Sequence, residues 1–268
     1  MAVTGVARLT TRAVRFIRLI LHITSGLLQS FVLPYISATR QNRMASNWAR
    51  KFLRILNIKL SLSGTLPVCD RQGAILVANH ISWLDIVAIL AVYPVRFVAK
   101  AEISTWPVLG RLCRNAGTLF IEREKRNDTL RINQQIAGVL KSGHSVVIFP
   151  EGTTGDGDVL RHFHASLLQP AVTTRTLLYP VAIRYSSCDG SRNSSVAYVS
   201  VTMLQSLIQI LAEPEIRVEL IFKEPVSGAD RNRRELARLA EKAIARTLSL
   251  NIRHMAPEIP SDLPVERM

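Results

Sequence analysis

From residue 74 onward, short apolar runs alternate with amphipathic segments, and this alternation restricts the fold more than any other feature of the chain. Runs rich in branched and aromatic side chains are typical of buried strands. The predicted strands are residues 74–78, 95–99, 118–122, 145–149, 177–184 and 217–222. Strands that alternate with helices predict an α/β domain, here with a mixed, largely parallel sheet flanked by helices.

Two of the amphipathic segments carry helix signals at their ends. Residues 128–142 repeat apolar side chains at helical spacing, an Asn-Asp pair at the start can supply the cap, and Gly143 can end the helix. Residues 231–250 show the same spacing after a possible cap at Asp230. Both segments are therefore predicted to form helices that bury one face.

Positive charge is concentrated in the first 67 residues. The chain has 34 Lys and Arg residues against 20 Asp and Glu, a net charge of +14, and the first 67 residues hold ten of the basic residues and none of the acidic ones. Such a balance implies a polyanionic partner or surface. Together with the strand and helix patterns, the charge distribution predicts a basic, membrane-associating helical region over residues 1–67 and an α/β domain over 68–256. Residues 257–268 hold three prolines and mixed charges and are predicted to form a flexible tail.

The same basic region holds the strongest apolar stretch, residues 19–36, which has no Asp, Glu, Lys or Arg in 18 residues. A spanning helix needs about 20 mostly apolar residues, and His22, Ser25, Gln29 and Pro34 dilute this stretch. Residues 19–36 could therefore form a membrane-spanning helix, a helical hairpin or a helix that lies at the membrane interface. The basic flanks suit an anionic bilayer, where each Lys or Arg contributes about 1 kcal/mol. The alternatives are a signal peptide, for which no cleavage pattern follows, and a buried core helix.

The cysteines bear on the compartment. Cys69, Cys113 and Cys188 are widely spaced and form no CxxC pair. That spacing argues against a zinc ribbon and against a secreted disulfide framework. We therefore expect a reducing, cytosol-facing location.

A histidine and an aspartate five residues apart follow the first predicted strand, in the segment NHISWLD. His80 thus lies at the carboxyl end of a strand, the edge where open α/β sheets bind ligands. On a regular helix the two side chains would point about 140° apart, so their contact requires His80 in the turn and Asp85 in the first helical turn. Asp85 would then orient His80 as a general base for a substrate hydroxyl. The alternative is a surface histidine beside a capping aspartate.

Two more clusters lie at the ends of predicted strands. GTLFIER ends on Arg123, whose planar fork can hold an anion, although Arg123 also belongs to a run of charged residues. In FPEGTTGDGD, Glu151 beside Gly152 can order a turn whose backbone N–H groups face an anion or a reaction oxyanion. An Asp/Gly surface turn is the alternative.

Metal binding is not expected. Asp156 and Asp158 lack the further ligands and the closing Glu of an EF-hand loop. His162 and His164 lie in a segment that reads as helix, where alternate side chains do not share a face.

NHISWLD, GTLFIER and FPEGTT, in this order and followed by Tyr179-Pro180-Val181, resemble the four sequence blocks of the 1-acylglycerol-3-phosphate acyltransferase family. The resemblance covers residues 74–184. It implies an α/β acyltransferase domain with a membrane-binding helical element at the amino end. It also implies a fatty acyl thioester of an acyl carrier protein or of coenzyme A as co-substrate, with no further cofactor.

The resemblance also implies roles for individual residues. The block histidine and aspartate are the general base and its orienting group, which gives these roles to His80 and Asp85. Acceptor binding falls to Arg123 and Glu151, and the loop is shaped by the two residues that follow Glu151, which are Gly152 and Thr153.

One departure from the family pattern bears on the acceptor. Members that use lysophosphatidic acid commonly have an arginine after EGT, whereas this chain has Thr154 followed by GDGDVL. The variant resembles the related enzymes that acylate lyso-ornithine lipid. The expected product is therefore ornithine lipid, with acylation of lysophosphatidic acid as the alternative because Arg123 remains. The expected place is the cytosolic face of a bacterial inner membrane.

Two rival functions are open, of which the first is suggested by the high content of basic residues. A nucleic-acid binder would interleave aromatic and basic side chains, but aromatics are 6% of the chain and an apolar stretch interrupts the basic region. No nucleic-acid partner is expected. A non-catalytic lipid-binding or scaffold protein would keep His80 and Asp85 as structural residues. Acyl transfer that is lost on changing Asp85 would exclude this function.

Overall fold

The computed structural model describes residues 2–67, 73–122 and 126–253. The α-helices are α1 (Ala2–Val32), α2 (Ala38–Ile55), α3 (Leu84–Val92), α4 (Pro107–Asn115), α5 (Arg126–Lys141), α6 (Gln169–Thr174), α7 (Met203–Ala212) and α8 (Arg233–Leu248). The strands are β1 (Ile58–Gly64), β2 (Ile75–Ala78), β3 (Val95–Lys100), β4 (Leu119–Ile121), β5 (Ser145–Ile148), β6 (Val159–Arg161), β7 (Leu177–Ser187), β8 (Ile216–Phe222), β9 (Val226–Ser227) and β10 (Asn251–Arg253). Short 3₁₀ helices occupy Leu33–Tyr35, Ala101–Thr105, Ala165–Leu168 and Ser194–Val196.

The main sheet is mixed and largely parallel, as predicted from the sequence. Its strands lie in the order β1-β8-β7-β2-β5-β3-β4, and β9 pairs with β7. Both β8 and β9 are antiparallel to β7, whereas the other neighbouring strands in this sheet are parallel. Strands β6 and β10 form a separate parallel pair.

Strand β2 lies inside the sheet and is buried on both faces. Since successive strand side chains point to opposite faces, Leu76 and Ala78 join the core that includes residues of α2 and α3. Ile75 and Val77 join the core that includes residues of α5 and α8. Burial on both faces explains why this strand reads as a continuous apolar run rather than as an alternating one.

The predicted elements are present, with small shifts at their ends. Each of the six predicted strands is found, and α5 ends at Lys141, followed by Gly143 with a φ of 82°. The cap of α8 differs from the prediction. The side chain of Asn232 accepts hydrogen bonds from the N–H groups of Arg234 and Glu235, in the first turn of α8. Asp230 lies two residues earlier in a left-handed conformation, with a φ of 58°.

Several of the described elements were not predicted, and two of them, β1 and α7, have clear sequence signals. Strand β1 lies within the region expected to be helical, so the sheet begins before the predicted boundary at residue 67. Its sequence, IKLSLSG, alternates apolar and polar residues as a strand does. Helix α7 begins with a capping box formed by Thr202 and Gln205, and this Thr-x-x-Gln spacing is a known start signal.

Helices α1 and α2 pack against the sheet domain and against each other. Near the start of α1, Arg15 donates to main-chain carbonyl groups that follow α7, at 2.9 and 3.2 Å. In the middle, the His22 ring donates to the Trp48 carbonyl at 2.9 Å, and the Trp48 ring donates back to the His22 carbonyl at 3.2 Å. Near the end, Asn115 of α4 donates to Ser30 at 3.0 Å. The helix is thus attached along most of its length.

The side of α1 that faces away from the domain is apolar. By length and composition, Leu9–Tyr35 could cross a membrane, and only 22% of its apolar stretch is buried. The exposed apolar side chains of α1, which we call its apolar face, are Leu9, Val14, Phe16, Ile17, Ile20, Leu21, Leu28, Phe31 and Val32. A helix with this much exposed apolar surface is not a buried core helix.

Candidate active site

The turn between β2 and α3 brings His80 and Asp85 together. Strand β2 ends at Ala78 and α3 begins at Leu84, so His80 lies in the turn and Asp85 in the first turn of the helix. His80 Nδ1 lies 2.8 Å from Asp85 Oδ2. This is the arrangement that a contact across five residues requires, and the predicted contact is therefore present.

Asp85 is fully buried and accepts hydrogen bonds from four groups. Besides His80, its Oδ2 accepts the N–H groups of Ile81 at 2.7 Å and Ser82 at 3.0 Å. Its Oδ1 accepts the hydroxyl of Tyr185 of β7 at 2.8 Å. Burial, and then the charge of Asp85, raise the pKa of Tyr185 well above its ordinary value, so the tyrosine stays protonated and keeps donating. The carboxylate is thereby fixed in one orientation.

The His80 ring is held on two sides. Because a carboxylate can only accept, the bond to Asp85 places the proton of a neutral imidazole on Nδ1 and leaves the lone pair on Nε2. The ring stacks on Phe149, with centroids 4.0 Å apart and planes 17° apart. The side chain keeps 18% of its surface exposed, and no hydrogen bond to Nε2 is seen from the described residues. The ring therefore presents a basic nitrogen that is available to a ligand.

Glu151 supports the backbone of the histidine turn. Its Oε1 accepts the His80 N–H at 2.7 Å, and its Oε2 accepts the Arg161 N–H at 3.0 Å. Burial raises the pKa of Glu151 from 4.5 to about 7, although these two hydrogen bonds act in the opposite direction. Both carboxylate oxygens are thus engaged with other segments of the protein, whereas the sequence predicted that Glu151 would order its own turn. Direct acceptor binding by Glu151 stays a prediction.

The loop that carries Glu151 makes further hydrogen bonds, one to the histidine turn and one to Tyr198. Gly152 has a φ of 76°, a left-handed conformation that glycine adopts without strain. Gly155 N–H donates to the His80 carbonyl at 2.8 Å. The Thr154 hydroxyl donates to the Tyr198 carbonyl. Thr153 is exposed on this loop, and its part in acceptor binding stays a prediction.

Asn79, which was not among the predicted site residues, joins β2 to β7. Its side-chain amide donates to the Ile183 carbonyl at 3.0 Å and its side-chain oxygen accepts the Ile183 N–H at 2.8 Å. A side chain thus continues the pattern of sheet hydrogen bonds one residue before His80. This pairing, like that of Tyr185 with Asp85, joins residues about a hundred positions apart, and local sequence patterns give no signal for it.

Two of the sequence predictions lie elsewhere. Arg123 falls outside the described residues, and its role stays a prediction.

His162 and His164 follow β6 rather than lie in a helix, so the prediction of a helix for this segment was wrong. Their rings are 5.8 Å apart, and His162 Nδ1 lies 3.1 Å from Glu241. Among the described residues, no group of three or more His, Cys, Asp or Glu side chains is arranged to hold a metal ion.

A family model described as Acyltransferase matches residues 58–184, which include β1, the histidine turn and most of β7. A 1-acyl-sn-glycerol-3-phosphate acyltransferase of Neisseria meningitidis serogroup B is 37% identical over 182 residues, 68% of this chain and 71% of that protein. The chain belongs to this acyltransferase family. The family resemblance inferred from the motifs is therefore confirmed, and the protein is an acyltransferase.

Other relatives of this acyltransferase differ in the acceptor that their names give. A lyso-ornithine lipid O-acyltransferase of Pseudomonas aeruginosa is 36% identical over 205 residues, 76% of this chain and 78% of that protein. The crystal structure of the 1-acyl-sn-glycerophosphate (LPA) acyltransferase of Thermotoga maritima has a TM-score of 0.68 at 19% identity and covers 91% of this chain and 96% of that one. The structural likeness confirms the predicted fold class.

Proposed function

We propose that this acyltransferase moves a fatty acyl group from a thioester to the hydroxyl of a lysolipid. The observation that carries the proposal is the contact of His80 with Asp85 at the carboxyl edge of the sheet, with Nε2 left available. A neutral imidazole that is oriented by a buried carboxylate is suited to take a proton from an alcohol near pH 7.

The reaction needs no covalent enzyme intermediate. His80 Nε2 takes the hydroxyl proton as the lipid oxygen attacks the thioester carbonyl. The tetrahedral intermediate then collapses, the carbon–sulfur bond breaks, and the departing thiolate receives the proton from the imidazolium. Asp85 stabilises the imidazolium between these two steps. The products are the acylated lipid and the free thiol of the carrier.

Backbone N–H groups of the FPEGTT loop are the proposed oxyanion donors. The N–H groups of Gly152 and Gly155 already donate within the protein, to the carbonyl oxygens of Phe149 and His80. In the described structure, no such bond is seen for the N–H groups of Thr153 and Thr154. These two N–H groups are therefore the better candidates in this loop.

For the acceptor we propose lyso-ornithine lipid. Thr154 stands where an arginine is common in members that use lysophosphatidic acid, and its hydroxyl is bonded to the Tyr198 carbonyl, so this position supplies no phosphate ligand. The exposed side chain of Arg161, beside Gly155, is a cation that could meet the carboxylate of an ornithine headgroup. The alternative is lysophosphatidic acid, which the name of the Neisseria relative supports and for which Arg123 and Arg161 could serve.

For the setting we propose the cytosolic face of a bacterial inner membrane, with α1 lying on the bilayer rather than crossing it. The bonds of Arg15, His22 and Ser30 hold α1 along the domain, which supports a lying helix. The apolar face of α1 would enter the membrane, and basic residues would meet anionic headgroups. We propose an acyl carrier protein as the acyl donor, with coenzyme A as the alternative. No other cofactor and no nucleic acid are proposed.

The test is an acyl-transfer assay with purified full-length protein. Lyso-ornithine lipid and lysophosphatidic acid are offered side by side, each with acyl carrier protein and coenzyme A thioesters. We expect His80→Ala to lower turnover by roughly 10² to 10⁴-fold, the usual contribution of general base catalysis, while vesicle binding is kept. The matched control is His144→Ala, at the amino end of β5 and thus at the opposite edge of the sheet. Normal turnover by His80→Ala would refute the mechanism.

A further inference from the structure

A cavity of about 430 Å³ lies between the first half of α1 and the end of α2. Three arginines line it, Arg15 and Arg18 from α1 and Arg54 from α2, together with Asn57 and the apolar side chain of Val14. No acidic side chain lines this cavity. It lies apart from the histidine turn and shares no residue with it.

The arginines of the cavity are not neutralised within the described protein. Arg15 donates to the main-chain carbonyls of residues 213 and 214, which fixes its guanidinium without cancelling its charge. Arg18 and Arg54 are exposed, and no ion pair or side-chain hydrogen bond with another described residue is seen for either. The nearby carboxylate of Glu213 accepts from Ser195 at 2.8 Å and is directed elsewhere.

An anion would complete this arrangement. Three guanidinium groups around one cavity repel each other. A phosphate group offers several acceptor oxygens that match the planar forks of Arg18 and Arg54, and the charge of Arg15 adds to the attraction. The charge and the donor geometry together point to a phosphate ester as the ligand.

The surroundings of the cavity point to a lipid as the source of that phosphate. Val14 lines the cavity and also belongs to the apolar face of α1, where it is 53% exposed. Acyl chains could therefore follow the apolar face while the headgroup enters the cavity. The position in the sheet agrees. Asn57 lies directly before β1, and the first residue of β1 pairs with Ile216, the first residue of β8. Ile216 also pairs with Ser187, at the carboxyl end of β7. Since β7 is parallel to β2, the cavity lies toward the same edge as His80.

We propose that this arginine cavity binds the phosphate group of an anionic bilayer phospholipid, at a site separate from the acyl-acceptor site. The inference rests on the proposed membrane association but not on the identity of the acceptor. A bound lipid would hold the edge that carries His80 against the bilayer surface. The lysolipid acceptor resides in that same surface.

The first test separates a defined site from general surface charge. Full-length protein is titrated with vesicles of phosphatidylcholine alone and of phosphatidylcholine mixed with phosphatidylglycerol. The cavity variant is Arg18→Gln with Arg54→Gln. The control variant is Arg40→Gln with Arg43→Gln, two exposed arginines of α2 that do not line the cavity. Because both variants lose the same charge, we expect the cavity variant to lose about tenfold more affinity for the mixed vesicles. Equal losses would overturn the proposal.

The second test identifies the source of the phosphate and does not depend on acyl transfer. Short-chain phosphatidylglycerol should raise the Tm of the detergent-solubilised parent, the control variant and His80→Ala, but not that of the cavity variant. The cavity variant should match the parent in lipid-free Tm and circular dichroism, so that a folding defect is excluded. Inorganic phosphate at the same concentration should have no such effect. An equal rise with inorganic phosphate would overturn the lipid assignment, while a lipid-dependent rise in protein without acyl transfer would defeat only the proposed function.

Discussion

The histidine turn and the amino-terminal helix pair differ in whether their side chains find partners within the protein. At the turn, Asp85 accepts hydrogen bonds from four groups and Glu151 from two, all of them within the protein. On α1 and α2, apolar side chains are exposed, and Arg18 and Arg54 lack partners among the described residues. The histidine turn is thus fixed in advance by hydrogen bonds within the fold, whereas the helix pair leaves apolar and cationic side chains exposed, and we propose that the membrane contacts them.

The largest effect is expected from a change inside the fixed site. Asp85→Asn keeps the size of the side chain but removes the charge that stabilises the imidazolium and sets the tautomer of His80. We expect turnover to fall by about 10³-fold, within the range known for such pairs, with vesicle binding unchanged. Turnover and vesicle binding are measured on the same preparation.

The control for this change is Asp156→Asn, at an exposed carboxylate that accepts the Asp158 N–H. An amide oxygen can accept the same bond, so the control should keep normal turnover. Normal turnover by both Asp85→Asn and Asp156→Asn would show that the charge of Asp85 is not needed for the reaction.

A second, smaller effect concerns the pH dependence of stability. Burial raises the pKa of Glu151 to about 7 in the folded protein, from 4.5. A carboxyl group whose pKa is raised on folding binds its proton more tightly in the folded state, so its contribution to stability is full below pH 4.5 and is lost as the pH rises through 7. The change amounts to about 3 kcal/mol. Glu151→Gln removes this titration.

We therefore expect the free energy of unfolding of the parent to fall, relative to that of Glu151→Gln, as the pH rises from about 4.5 to about 7. Urea unfolding at a series of pH values measures the difference. Glu102→Gln, at an exposed carboxylate, should follow the parent at every pH. A constant difference between the parent and Glu151→Gln would show that the buried carboxyl group does not titrate in this range.

The smallest effect is expected on the helix pair. Ile17 is 58% exposed on the apolar face of α1, and a buried aliphatic side chain contributes about 1.5–3 kcal/mol. Since membrane burial would be incomplete, we expect Ile17→Ser to weaken binding to neutral vesicles by about tenfold. Neutral vesicles isolate the apolar contribution from that of charge. Turnover on detergent-dispersed lysolipid should stay at the parent level.

The control is Leu130→Ser, on α5, where the side chain is 64% exposed. It removes a similar apolar surface from another part of the molecule and should leave vesicle binding unchanged. Equal losses from Ile17→Ser and Leu130→Ser would mean that the apolar face of α1 is not the membrane-facing surface.

Much of the fold and part of the site could be predicted because the signals are local. Apolar runs in the sequence predicted six of the strands, and Gly143 predicted the end of α5. The contact between His80 and Asp85 joins residues five positions apart, so a strand, a turn and the first turn of a helix are sufficient to form it. Strand β1 was missed because its alternation lies in a region dominated by basic residues.

The rest of the site depends on which strands become neighbours. Tyr185 reaches Asp85 because β7 lies beside β2, and Glu151 reaches the His80 backbone because β5 lies on the other side. No local spacing encodes either contact. The attachment of α1 to the domain is likewise a long-range result, through Arg15 and the carbonyls that follow α7.

Short sequence motifs were sufficient to predict most of the strands and helices, the histidine–aspartate pair and the family, because the residues within each motif lie a few positions apart. The four hydrogen bonds to Asp85, the contacts of Glu151 with the backbone and the meeting of arginines from α1 and α2 in one cavity became visible in the folded chain alone. Hydrogen bonds and charges act over a few ångströms in space, and the folding of the chain determines which distant residues come that close.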